Sequence, residues 1–322
     1  MTDILYVAIG LVLLVLAGDA LVRGAVNMSL RLGIPPLVVG LTVVAFGTSA
    51  PELLVSVKAI LEGVSGMAMG NVVGSNIANV LLVLGVPAII TTIHSSDLGL
   101  SRSYFTMLAA TALFIVVAFM GPIVWWHGII LLIGLAMMLF DNYCTARSHR
   151  RAAGAALAAS DDDDAAALEG ADPSMPWWKI AAFLLAGIIG LPLGAGFLVD
   201  GAADIARVFG ISETVIGLTL VAVGTSLPEL ATSVIAAFKK QADVAMGNVI
   251  GSNVFNLLGI IGVASMVGNI DVAPSMLYSG LWVMLAASLI LIPFILMRYN
   301  ITRTVGIGFV TIYVAYTASL VL

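Results

Sequence analysis

Polar residues in this chain fall into short breaks between apolar runs of about twenty residues, the length a helix needs to cross a bilayer's hydrocarbon. Ten such runs predict membrane-spanning helices, at residues 4–24, 36–61, 67–93, 102–120, 124–143, 178–204, 213–238, 244–269, 275–297 and 303–321. The longest break, 144–176, holds Arg147, Arg150 and Arg151, then an alanine-rich stretch with Asp161 to Asp164, then Pro173 and Pro176. That composition reads as a solvated, disordered linker. It divides the chain into 1–143, 144–176 and 177–322. The expected fold class is all-α, a polytopic membrane protein of ten transmembrane helices. Asp3 alone precedes the first run, with no basic region or small-residue cleavage site, so the run reads as a first span and not a removed signal peptide.

Composition agrees. Hydrophobic residues make up 61% of the chain and charged residues 10%, too few charges to cover a soluble domain. The net charge of −5 owes much to the aspartate run and identifies no partner; nothing points to nucleic acid. Cys144 is the single cysteine, which excludes an intramolecular disulfide and a cysteine metal cluster. Basic residues set the orientation. With the N-terminus outside, inward loops receive Arg23, Arg31, Arg102, Arg147, Arg150, Arg151, Lys179, Lys239, Lys240, Arg298 and Arg303, and outward loops only Lys58 and Arg207. The positive-inside rule then places both termini outside and the linker in the cytoplasm. Trp125 and Trp126 fall at the outer end of the fifth span, as interfacial anchors do.

The halves repeat. Displacing the chain by 177 residues lays Val38–Gly85 on Val215–Gly262 without a gap, with 26 of 48 positions identical. Each half holds five spans, an odd number, so the second half enters the membrane from the opposite side. Inverted repeats of this kind belong to secondary transporters, whose substrate site lies near the midplane where the repeats meet.

The most similar stretches are polar. VAFGTSAPELLVSV begins at Val44 and VAVGTSLPELATSV at Val221, which puts Glu52 and Glu229 mid-span. An ionised carboxylate at that depth costs several kcal/mol unless paired. His94, His127 and His149 sit at membrane edges or in loops, and no lysine or arginine reaches the middle. A mobile cation is therefore the expected partner. Pro51 and Pro228 should break their helices against Gly47 and Gly224 and free carbonyls near Ala45 and Ala222. Thr48 and Ser49 share the helical face of Glu52; Thr225 and Ser226 stand likewise to Glu229. All are hard oxygen ligands, suited to Na⁺ and Ca²⁺ and not to zinc or copper. The following spans repeat MGNVVGSNIAN from Met69 and MGNVIGSNVFN from Met246. In these, Ser75, Asn79, Ser252 and Asn256 read as ligands or their close support. Asn71 and Asn248 read chiefly as capping or interhelical hydrogen-bond donors, and Gly70, Gly74, Gly247 and Gly251 as helix-packing positions.

GTSAPE with GNVVGSNIAN, and GTSLPE with GNVIGSNVFN, resemble the two α-repeats of the cation/calcium exchanger superfamily, closest to prokaryotic Na⁺/Ca²⁺ exchangers. The resemblance implies four cation positions among spans two, three, seven and eight. Glu52 and Glu229, with Thr48 and Thr225, would hold calcium. Ser49, Ser75 and the Ala45 carbonyl would form one sodium position, and Ser226, Ser252 and the Ala222 carbonyl its mirror image. Asn79 and Asn256 would flank the centre; some relatives carry aspartate at one of these. The resemblance further implies electrogenic exchange of three Na⁺ for one Ca²⁺, no cofactor, a monomer sufficient for transport and a prokaryotic plasma membrane. It likens spans one and six, with Asp19, Arg23, Asp200 and Asp204 at their ends, to a sliding gating pair.

A Ca²⁺/H⁺ exchanger of the same superfamily is the main alternative, and a cation channel a lesser one. An intramembrane enzyme would need a nucleophile with its base or paired aspartates, and no mid-membrane histidine or aspartate exists. Replacing Asp161 to Asp164 with serine should leave transport unchanged in a vesicle flux assay; loss of flux would give this run a role beyond connecting the halves.

Overall fold

A computed structural model describes residues 2–93, 98–157, 172, 174–210 and 222–321. They form α1 (Thr2–Leu32), α2 (Pro36–Thr48) and α3 (Ala50–Leu61), bent against each other by 43°, and α4 (Ser65–Ile90). Then come α5 (Leu98–Phe119), α6 (Trp125–Leu157), α7 (Trp177–Val208), α8 (Ala222–Thr225) and α9 (Leu227–Phe238). The chain ends with α10 (Ala242–Val267), α11 (Met276–Ile295) and α12 (Arg303–Val321). Among the described residues there is no β-strand; two isolated bridges, Ile93 with Ile301 and Ile123 with Ile270, tie loops together. Among the described residues seven helices are long and apolar enough to cross a membrane, or eight with α2–α3 taken as one span. The Asp161 to Asp164 run and residues 213–221 of the seventh expected span lie outside the described residues.

Two boundaries differ most from expectation. α1 continues past residue 24 because its charges satisfy each other: Arg23 Nε meets Asp19 at 2.7 Å, one turn away. α6 continues past residue 143 to Leu157, so the expected disordered linker is corrected over 144–157. Alanine and arginine there are strong helix formers, and their propensity outweighs the polarity that reads as a break. At the far end of the linker, Asp172 N–H donates to Asn27 Oδ1 at 2.8 Å. The Ser174 hydroxyl and backbone N–H hold the Asp172 carboxyl below its usual range.

Burial separates core helices from shell. Within the most apolar window of each, α4 is 72% and α10 83% buried, against 28% for α1, 17% for α6 and 22% for α7. α4 and α10 therefore form the centre, while exposed Leu11, Phe140 and Leu193 mark faces turned to lipid. Glycine brings the central elements together. A Cβ on Gly247 would lie 2.7 Å from Leu37 O, and one on Gly251 2.6 Å from Leu41 O. α10 thus rests directly on the backbone of α2, where residues Gly40–Val44 form a π-helical turn. α1 and α7 pack antiparallel along a seam of glycines: Gly10 meets Gly194, Gly190 meets Ala17, and Gly24 meets Leu184.

Gly251→Ala should lower stability by about 1–3 kcal/mol through overpacking, whereas Gly308→Ala, whose Cβ meets nothing within 4 Å, should not. Thermal melting of the purified proteins checks the contrast.

Candidate ion-binding site

Helix breaks build the site. At Ser49 the backbone takes φ −86°, ψ 4°, and at Ser226, the equivalent position, φ −88°, ψ 4°. Pro51 and Pro228 each stand in the first turn of the helix after the break, where a missing N–H costs no intrahelical bond. The break therefore converts a mid-span position into a helix start. Glu52 and Glu229 lie in those first turns, facing the partial positive charge that a helix N-terminus supplies to an anion. Both are fully buried, and the hydroxyl of Ser49, three residues before Glu52, reaches Glu229.

Around them gathers a set of buried oxygens without hydrogen-bond partners: Oε1 and Oε2 of Glu52, Oε2 of Glu229, Oγ of Ser75 and Ser226, and Oδ1 of Asn79 and Asn256. Each such buried atom costs about 1–3 kcal/mol if nothing answers it. Away from this cluster the corresponding unpartnered atoms at His127, Asn142 and Gln241 are nitrogens. Oxygens alone, all able to accept when the carboxylates are ionised, are the ligand set that a hard cation takes. The ion pairs among the described residues join Arg23 and Lys239 to Asp19, Lys58 to Glu62, Arg102 to Asp141 and Arg207 to Asp204; none includes either glutamate. Asp19 and Asp204 thus serve helix surfaces, and Asp200 is exposed. No group of three or more His, Cys, Asp or Glu capable of holding a metal occurs among the described residues, so the charge at the site is that of two carboxylates.

Two hydroxyls of the first half reach across to the second. Ser49 Oγ donates to Glu229 Oε1 at 3.1 Å. Thr48 Oγ1 donates to Asn248 Oδ1 at 3.0 Å and lies 3.5 Å from Ser252 Oγ. The cause is the glycine contact between α2 and α10, which brings Thr48 and Ser49 to the second half. α8, with Thr225 half-buried at its end, packs in turn against α4. The Ala45 carbonyl is not freed by the break: it accepts the Ser49 N–H at 3.0 Å. After the second break Ser226 N–H donates to Val223 O at 3.1 Å, one residue beyond Ala222.

Asn71 and Asn248 make interhelical hydrogen bonds, and make the same ones. Asn71 Nδ2 donates to Glu52 O at 3.2 Å and to Ser56 Oγ at 3.0 Å; Asn248 Nδ2 donates to Glu229 O at 3.4 Å and to Ser233 Oγ at 3.3 Å. They pin each glutamate's backbone to the neighbouring central helix. Ser56 and Ser233 went unnoticed in the sequence, as did Asn76 and Asn253, which bond to the candidate ligands Asn256 and Asn79. Their signal was present: all four are identical across the 177-residue displacement. A π-helical turn opens on Asn79 itself and another encloses Asn256, a feature frequent at functional sites.

Residues 2–141 and 179–322 match the family described as sodium/calcium exchanger protein. The chain belongs to the sodium/calcium exchanger family. Over 98% of its length it is 34% identical to the sodium/calcium exchanger MaX1 of Methanosarcina acetivorans, of which 97% is covered. It is 36% identical to the inner membrane protein YrbG of Escherichia coli, over 82% of this chain and 80% of that one. A solved structure of the sodium-calcium exchanger NCX_Mj, soaked with Na⁺ and Ca²⁺, superposes with a TM-score of 0.81 at 33% identity over 99% of each chain. This chain is accordingly an integral membrane cation exchanger, and its family is one of transporters.

Asn71→Leu and Asn248→Leu should each destabilise the protein by about 1–3 kcal/mol, because each strands an equivalent serine and carbonyl, and Asn248→Leu strands the Thr48 hydroxyl as well. Melting temperatures of the two variants check this, and a variant that melts with the wild type would contradict it.

Proposed function

We propose that this chain is a Na⁺/Ca²⁺ antiporter of ten spans in two inverted five-helix repeats, which binds both ions at one midplane site and exposes it alternately to each side. Both termini lie outside, the 144–176 connection is cytoplasmic, and the membrane is a prokaryotic plasma membrane. Glu52, Glu229, Thr48 and Thr225 serve Ca²⁺. Ser49, Ser226, Ser75, Ser252, Asn79, Asn256 and the carbonyls of Ala222 and of Ala45, the latter through the lone pair that its helix bond leaves, complete the sodium positions and the centre. The ions are substrates, and a monomer suffices.

The carrying observation is the cluster of unpartnered buried oxygens around two uncompensated glutamates. The antiparallel contact of α1 with α7, equivalent helices under the displacement, supports the inversion. Two carboxylates neutralise one Ca²⁺ or two Na⁺, and a third Na⁺ leaves a net positive charge. Three-for-one exchange then moves charge and responds to voltage, by about 2.3 kcal/mol per charge per 100 mV. An empty site must carry bare carboxylates through the conformational change, a desolvation cost that enforces coupling. The site is also unequal in this state: Ser49 serves Glu229, while both oxygens of Glu52 stand unserved. A site facing one side at a time has such inequality.

In proteoliposomes, an outward Na⁺ gradient should drive Ca²⁺ uptake, and Glu52→Gln or Glu229→Gln should abolish it. Uptake that follows a pH gradient and ignores Na⁺ would establish Ca²⁺/H⁺ exchange instead. A reversal potential checks the stoichiometry.

A further inference from the structure

We propose that Met107 and Met284 fix the direction of two amide chains and thereby oblige Asn79 and Asn256 to offer oxygen, not nitrogen, to the transported cation. This deepens the antiporter reading and rests on it. A side-chain amide has an acceptor at one end and donors at the other. Nothing intrinsic to an asparagine decides which end faces a cavity, yet only the oxygen can ligate a cation. A neighbour that can solely accept resolves the choice, and a thioether sulfur, which carries no hydrogen, is such a neighbour.

The first chain begins at Met107, fully buried on α5. Its Sδ lies 3.6 Å from Asn253 Nδ2. Asn253 must turn its nitrogen there, so its Oδ1 points the other way and accepts Asn79 Nδ2 at 3.0 Å. With its nitrogen committed, Asn79 is left with Oδ1 toward the site, and that atom is one of the unpartnered oxygens. The second chain repeats the logic in the other half. Asn76 Nδ2 lies 3.7 Å from Met284 Sδ and donates to Asn253 O at 3.4 Å. Asn76 Oδ1 accepts Asn256 Nδ2 at 3.2 Å, and Asn256 Oδ1 is left over. Every member has its mate 177 residues on: Asn76 and Asn253, Asn79 and Asn256, Met107 and Met284. The four asparagines and two methionines are at most 2% exposed, so bulk water offers no substitute partner. Asn76, Asn253 and the two methionines are positioning residues, acting on the ion through another side chain.

Ca²⁺ binding to the purified full-length protein without Na⁺, and Na⁺-driven Ca²⁺ flux in proteoliposomes, test this together. Leucine is close to methionine in volume and lacks the acceptor. Loss of one neutral hydrogen bond's bias should raise half-saturating Ca²⁺ roughly threefold in Met107→Leu, less in Met284→Leu, where Asn253 O still accepts from Asn76, and about tenfold in Asn253→Leu, with maximal flux little changed. The decisive background is Asn79→Asp, because a carboxylate presents oxygen whichever way it turns. There Met107→Leu should lose its effect, while Met284→Leu, which acts through Asn256, should keep it. The proposal is overturned if both methionine variants bind Ca²⁺ as the wild type does, or if both retain their effect in the Asn79→Asp background. Wild-type protein that binds Ca²⁺ but does not couple it to Na⁺ would instead remove the antiporter reading and leave the binding result to decide the amide chains. Melting temperatures confirm that the variants are folded.

Discussion

Two carboxylates buried without a cationic side chain constrain everything else in this molecule. Carrying Glu52 and Glu229 into apolar surroundings is costly, and the fold lowers that cost in several ways at once. The breaks at Ser49 and Ser226 start a helix beside each carboxylate. Asn71 and Asn248 fasten the backbone at each glutamate to a central helix. Against this, oxygens of neighbouring hydroxyls and amides are left unpartnered, which adds to the cost. What the protein leaves undone, an ion must complete. A complementary charge held permanently by a lysine or arginine would make a stable ion pair and an idle site.

The central pair α4 and α10 carries the asparagines and two of the serines of this arrangement, with the outer helices α1, α6 and α7 more open to lipid. That division has a mechanical meaning in the proposed transport cycle. The oxygens sit on well-packed elements, while the antiparallel α1–α7 pair meets along glycines, several of which receive a large side chain from the opposite helix, Leu21 on Gly187 and Leu184 on Gly24 among them. Motion at the periphery can then alter access without dismantling the ligands.

Much of the site was legible because the chain states it twice. Proline next to glutamate in an apolar run is hard to explain as packing, and its recurrence at a fixed displacement identifies the residues to watch. The roles of Asn71 and Asn248 followed from their place at the start of a span. Pairing across halves was not legible: it depends on Gly247 and Gly251 meeting the backbone of α2, and spacing along one strand of sequence does not reveal which helix a glycine face will meet. Nor do Met107 and Met284 announce themselves, since a methionine in an apolar helix looks like any other core residue until its sulfur is found opposite an amide. The helix beyond residue 143 was missed because polarity ends a membrane span without ending the helix.

The bond from Ser49 to Glu229 carries a consequence for how such a chain can change over generations. A replacement at residue 49 alters the pocket of an acid encoded 180 positions downstream, so the duplicated segments are not free to drift as separate genes would be. Each copy is the other's selective environment, and divergence between them is tolerated only where their side chains do not cross. Severed from its fellow, neither segment retains a complete pocket.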